Sequence, residues 1–292
     1  MRTIGLLTGR NLRIFFRDRS GVFFSLLSAL LLFGLYALFL GNLQVENLTE
    51  QLPGASADDI QWFVNAWVFA GITMITTLTT GLASLGVFVD DRSSGRFSDF
   101  VVSPIRRWQL ILGYLVSSFI VSVIMTLVVL LVGQLYLLIQ GSEPMSVAQL
   151  VRLLGYIALS SAAFAALSSF VATFLKSSGA FAALSTVVGT LIGFLAGAYI
   201  PVGALPAGVV NIMNSLPFVQ SAMLIRGPYA ADALDAITGG EPRAIEAIEG
   251  FYGITVHVGD FQVTTGIAIT VLVGVLLVFS ALGAWQLSRR IR

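Results

Sequence analysis

Residues Leu110 to Ile139 read LILGYLVSSFIVSVIMTLVVLLVGQLYLLI, thirty positions without one charged side chain. A helix needs about 20 apolar residues to cross a ~30 Å hydrocarbon core. Inside that core only helices and closed barrels satisfy their own backbone polar groups. The stretch therefore reads as a transmembrane helix. Outward from it, five more runs pass the same test: Ser20–Leu40, Ala66–Val89, Leu150–Leu175, Ser178–Ile200 and Thr264–Leu287. The expected fold is all-α, a polytopic membrane protein with six transmembrane helices forming a single domain over residues 1–292.

The charges between these runs give an orientation. Of 16 basic residues, Arg2, Arg10, Arg13, Arg17, Arg19, Arg92, Arg96, Arg106, Arg107, Lys176, Arg289, Arg290 and Arg292 fall on the side holding both termini. Arg152, Arg226 and Arg243 fall on the other. The positive-inside rule then puts both termini in the cytoplasm of a multi-pass plasma-membrane protein, with a bacterial cell as the expected setting.

Composition excludes several classes. Charged residues make up 11% and hydrophobic residues 57%, whereas soluble domains carry about 25% charged residues. A net charge of +1 offers no electrostatic footprint for nucleic acid. The absence of cysteine removes disulfides and thiolate metal sites. The first run is too long for a signal-peptide core, and Leu40-Gly41-Asn42 offers no small-residue cleavage site, so it reads as the first span.

Residues 1–19 are amphipathic. Arg2, Arg10, Arg13 and Arg17 share one helical face, and Ile4, Leu7, Leu12, Ile14, Phe15 and Phe16 cover the rest. This predicts a helix in the headgroup layer, its arginines reaching lipid phosphates. An outer loop is expected from Gly41 to about Asn65. Thr73, Thr76, Thr77 and Thr80 recur at helical spacing in the second run, as glue between helices, as a pathway lining, or bonded back to their own helix. Gly189, Gly193 and Gly197 step by four through the fifth run, a spacing that lets two helices approach closely, between subunits among other places. Segment 201–262 opens with Pro201, Pro206 and Pro217 amid apolar residues, too broken to span and too greasy for open water. Short interfacial or re-entrant helices fit it, followed by a polar, acidic outer cap over 229–260.

A search for chemistry returns mostly exclusions. The single lysine, Lys176, follows Leu175, so the Gly-Lys of a nucleotide-phosphate loop is missing. The single histidine, His257, sits in the outer cap and reads as a surface residue. No catalytic constellation and no metal ligand set stands out, and the span interiors carry no acid of the kind ion-coupled carriers use. The positive signal is the cytoplasmic connection 90–109, DDRSSGRFSDFVVSPIRRWQ. Phe97, Phe100 and Val101 line one face of a short helix, and Ser103-Pro104 fits an N-cap with proline at the first helical position, restarting a helix into the third span. Apolar anchors between charged ends suit docking in a protein groove. An ordinary basic loop anchoring two spans is the plainer alternative.

At this connection the chain resembles membrane permeases of the ABC type-2 exporter family. Charged residues Asp90, Asp91 and Arg92, then Gly95 with Arg96, an apolar stretch Phe100–Val102, and Ser103-Pro104-Ile105-Arg106-Arg107 lead into Leu110-Ile111-Leu112-Gly113 in the family's order. A second match is Ala198-Tyr199-Ile200-Pro201 with Leu205-Pro206 and Leu216-Pro217. Aspartates stand where the family often has glutamates, and the outer cap is longer than usual. The resemblance implies a half-transporter that pairs with a second copy or a related permease and docks separate ATP-binding-cassette subunits, which hold the ATP and Mg. It makes 90–109 the coupling helix, places the fifth-span glycines near the subunit interface, and makes 201–262 the re-entrant exit gate. An ATP-driven exporter of a hydrophobic or amphipathic substrate (drug, lipid, lipid-linked glycan or peptide) is the leading expectation. An ion-coupled carrier or channel, and a membrane enzyme or passive assembly subunit, are the rivals.

Overall fold

The structure is a computed structural model describing residues 2–96 and 105–290, the backbone alone at 107 and 287–290. Helix α1 (Arg2–Arg17) leads into a segmented first span of α2 (Arg19–Ser25), α3 (Leu27–Leu35), a π-helical turn (Tyr36–Leu40) and α4 (Gly41–Gln51). The second span is α5 (Ala57–Ser84) continued by α6 (Gly86–Ser93). The third, fourth and fifth spans are α7 (Arg107–Ile139), α8 (Val147–Ala172) and α9 (Ser178–Leu195). A 3₁₀ turn (Val202–Ala204), α10 (Ala207–Asn214), α11 (Pro217–Thr238) and α12 (Pro242–Tyr252) follow. An antiparallel hairpin of β1 (Val256–Val258) and β2 (Phe261–Val263) precedes the last span, α13 (Thr265–Arg290). Among the described residues six helices are long and apolar enough to cross a membrane. The chain is an all-α polytopic membrane protein, the three-residue strands being its small exception.

Local chemistry sets the boundaries. The Ser56 hydroxyl accepts the Asp59 amide at 3.0 Å and caps α5, whose first turn carries Asp58 and Asp59 against the helix dipole. Ser146 and Gln149 form a capping box on α8. Proline opens α11 and α12, and Gly239 and Gly253, at φ +60° and +65°, close them in the left-handed region.

Several expected boundaries move. The outer loop expected over 41–65 is mostly helix: α4 runs on from the π turn at Gly41 and buries Leu48, and α5 begins at Ala57. Residues 52–56 alone remain as the connection. Asp90–Ser93 are the last turn of α6 rather than loop. The described part of the third span starts at Arg107: Arg106 is extended (ψ 137°) and its amide donates to the Gln109 side chain at 3.1 Å, closing the helix start there, while the Ser103-Pro104 start lies outside the described residues. The outer cap shrinks to α12 and the hairpin, since α11 runs to Thr238. Helices α10 and α11 meet at 85°.

Helix α5 is the hub. In its most apolar window 89% is buried, against 17% for the first, fifth and last spans, although its mean hydropathy (1.7) is below that of α7 (2.8) and α13 (2.6). In lipid the greasiest helices belong outside, and helix contacts are made by small and hydroxyl-bearing residues. Ser118 and Ser122 of α7 donate to the Gly81 and Thr77 carbonyls of α5 at 2.7 and 2.6 Å, and Ser221 of α11 donates to Ser160 of α8 at 2.7 Å.

Candidate functional site

At the end of the bundle holding both termini, α1 lies against α7. Gly113 makes the notch: a Cβ there would stand 2.8 Å from Leu7 Cβ. Asn11 adds weak contacts to the Gly113 carbonyl and Ser117 hydroxyl at 3.5 and 3.4 Å. One turn along, Arg10 makes a two-pronged pair with Asp91 of α6, at 2.6 and 2.8 Å. The Tyr114 hydroxyl of α7 donates to the same carboxylate at 2.7 Å, and Arg96 approaches it at 3.6 Å. Asp91 is 1% exposed, so the carboxylate has exchanged water for these donors. The hydrogen bond to Asp91 raises the Arg10 pKa above its ordinary value, burial opposing it.

The neighbouring residues fasten the same end elsewhere. Arg92 donates to the Thr173 and Leu175 carbonyls after α8, at 2.8 and 3.2 Å. Ser178 at the start of α9 donates to Asp90 at 2.5 Å. Gly95 has φ +79°, where a side chain would be strained. Asp90, Asp91, Arg92 and Arg96 are thus brought together, Arg106 is exposed at the head of α7, and Arg107 opens that helix. Phe97, Phe100, Ser103 and Pro104 lie outside the described residues. The lipid-facing role expected for Arg10 is corrected: Arg2, Arg13 and Arg17 are exposed, while Arg10 turns inward to Asp91.

The four threonines sit in the core of α5, each fully buried and donating back to its own helix: Thr73 to Phe69, Thr76 to Ile72, Thr77 to Met74 and Thr80 to Thr76. The bonds between helices come from the serines of α7 and α11 instead. The glycine stripe is not one helix face, because α9 ends at Leu195 and Gly197 lies beyond it at φ +61°. Gly189 leaves room for Ser28, and Gly193 for the Tyr199 ring, whose nearest atom would be 2.3 Å from an added Cβ. The outer prolines mark boundaries: Pro201 precedes the 3₁₀ turn, Pro206 precedes α10, and Pro217 starts α11.

A second polar centre was missed by sequence reasoning. Arg226 in α11 is 0% exposed. It donates to Ala196 and Gly197 at 3.0 and 2.7 Å, just past the end of α9, and to Gly253 at 3.3 Å, just past α12. Its guanidinium lies 5.4 Å from the Trp67 ring centroid. No carboxylate pairs with it among the described residues. Two helix C-termini and an aromatic face supply the negative potential. Trp67 donates to the Tyr252 carbonyl at 2.8 Å and Tyr36 to the Tyr199 carbonyl at 3.1 Å, so the π-helical turn, α5, α11 and the ends of α9 and α12 converge here. The signal in the sequence was one charge after the apolar run Ala222-Met223-Leu224-Ile225.

Residues 2–227, which hold the first centre and Arg226 of the second, match the family profile of the ABC-2 type transporters. The chain belongs to that family. No curated protein matches it. Membership makes the chain a multi-pass permease subunit, in a family whose membrane chains generally lack an ATPase site and normally work with ATPase partners. The match ends one residue past Arg226, so α12, the hairpin and α13 lie beyond it.

Proposed function

We propose that this chain is the membrane half of an ATP-driven exporter. Separate ATP-binding-cassette subunits holding ATP and Mg dock against the connection 90–109, and a second copy or a related permease completes the conduit. Both termini are cytoplasmic, the bent pair α10–α11 is re-entrant from the outer face, and the substrate is hydrophobic or amphipathic.

The observation carrying this reading is how the segment entering that connection is fastened. Asp91 ties α6 to α1 and α7, Asp90 ties it to α9, and Arg92 ties it to the turn after α8. A push on the connection therefore reaches four elements through charge-assisted bonds and packed helices, not through a slack loop. Co-expression with candidate ATPase subunits tests it: an ATPase should co-purify, and Phe100→Arg should abolish transport. No co-purifying ATPase, together with undiminished transport in Phe100→Arg, would overturn it. The absence of cysteine makes orientation directly testable. Ser94→Cys should be labelled only after permeabilisation and His257→Cys in intact cells; the reverse pattern would invert the assignment.

A further inference from the structure

A cleft of about 440 Å³ opens at the end holding the termini, between α1–α3 on one side and α5, α6 and α9 on the other. Its volume suits a small molecule. Asp18 and Asp90 line it, with Phe24 and Phe181, and among the described residues no lysine or arginine does. Arg17 and Arg19 flank Asp18 in sequence but are not part of the lining. Asp18 accepts the Gly21 amide at 3.0 Å and Asp90 the Ser178 hydroxyl, which leaves each carboxylate further acceptor sites. Neither is in an ion pair among the described residues.

A second observation is independent of these acids. Thr73, Thr76, Thr77 and Thr80 all return their hydroxyls to the α5 backbone, whereas Thr79, on the cleft wall, does not. Thr79 is 8% exposed and its hydroxyl has no partner among the described residues; the Ser185 hydroxyl of α9, on the same side of the cleft, is unpartnered too. A buried hydroxyl without a partner is unfavourable unless a ligand or water supplies one. At 1.5 Å per helical residue, these hydroxyls lie roughly 10–16 Å further in than Ser178 and Asp90.

We propose that this cleft binds an amphipathic ammonium cation: its charged head between Asp18 and Asp90, its apolar body against Phe24 and Phe181, and a hydrogen-bonding group further along at Thr79 and Ser185. The carboxylates supply the counter-charge and the phenyl faces add attraction for the cation. Such molecules concentrate at anionic membrane surfaces, where the cleft opens if the termini are cytoplasmic. The inference rests on the permease reading and narrows its substrate class.

The probe is N-dansyl-1,8-diaminooctane, whose eight-carbon chain lets the ammonium and the sulfonamide reach both ends of the cleft; its N-acetyl derivative is the uncharged control. Binding is read by dansyl fluorescence on the full chain in lipid nanodiscs, without an ATPase. Saturable binding of the amine at least about tenfold tighter than of the acetylated form is expected. Asp18→Asn with Asp90→Asn, which keeps the capping and serine bonds, should weaken the amine about tenfold and leave the acetylated form unchanged. Thr79→Val should weaken both forms severalfold. Equal binding of amine and acetylated probe overturns the proposal, and so does undiminished amine binding in the double Asn variant. The charge comparison on the unmodified chain stands even if a variant misfolds. A negative result with an ATPase still co-purifying would sink the cation site and leave the permease reading intact.

Discussion

Two arginines anchor opposite ends of this bundle, and they do it differently. Arg10 meets a carboxylate: Asp91 takes both prongs of its guanidinium, and Arg10 keeps 31% of its side-chain surface exposed. Arg226 is wholly buried and meets backbone carbonyls alone, at the ends of α9 and α12, under the face of Trp67. The first is an exchangeable contact, because water can replace either partner as the joint opens. The second closes off the ends of two helices, and its donors have no substitute inside an apolar core. On the proposed reading a transporter uses both kinds of joint, one that can loosen at the end that receives the push and one that holds the far end in register.

The largest effect should come from Arg226→Met. It fills similar volume but leaves the Ala196, Gly197 and Gly253 carbonyls without these donors. With about 1–3 kcal/mol for each buried unsatisfied group, set against relief of the buried charge, a net loss of about 2–4 kcal/mol follows. Thermal unfolding of the purified chain reads it as a lower Tm. A more stable variant would break the comparison, showing that this cation is retained against stability.

Asp91→Asn comes next. Asn still accepts from Tyr114 but loses the charge that holds Arg10, a loss of about 1.5–3 kcal/mol for a charged hydrogen-bonded pair. A double cycle with Arg10→Met isolates the pair, and the double variant should be little worse than either single one. Strictly additive losses would mean that α1 is held by Leu7 and Gly113 rather than by charge. Single-cysteine labelling at Leu7→Cys, 7% exposed in the docked helix, should rise when Asp91 is changed.

These two centres also mark how far the sequence could be read. The spans were legible because lipid imposes length and apolarity on each one separately, and that is local information. The Arg10–Asp91 pair was half legible: Asp91 stood in a recognisable motif, but its partner lies 81 residues away and was assigned to lipid by its helical face. Arg226 was hidden because carbonyls past two helix ends leave no side-chain signature. The glycine stripe misled for a related reason. Four-residue spacing implies one face only while the helix continues, and α9 stops before Gly197. In the threonine ladder, bonding back to the helix prevailed because each hydroxyl has a carbonyl within its own turn.

A smaller effect sharpens the contrast by keeping charge and removing the fork. Arg10→Lys retains a monodentate bond to Asp91 at a partly exposed site, so a loss of about 1 kcal/mol is expected. Arg226→Lys should lose more, because one ammonium cannot serve carbonyls at two separate helix ends. Equal losses in the paired unfolding curves would show that geometry matters no more inside the core than at its edge.

The weakest lever is pH, at the end opposite the termini, beside the Arg226 anchor. Glu249 of α12 is half-buried, and burial, with Asp235 and Glu246 nearby, pushes its carboxyl above the ordinary value. Arg152 lines the same outer cleft without an ion pair to it among the described residues. A carboxyl with a raised folded-state pKa binds protons more tightly folded than unfolded. Stability contributed by this group therefore rises as pH falls through the folded pKa, and levels off below the unfolded one. Glu249→Gln removes the titration. It should unfold at a higher temperature than the unmodified chain near neutral pH, with the gap closing on acidification. The effect should reach Arg226, since the Glu249 carbonyl receives the Ile254 amide, which frames the Gly253 turn that the arginine caps. A gap that stays constant with pH would show that Glu249 binds its proton no more tightly in the folded chain than in the unfolded one.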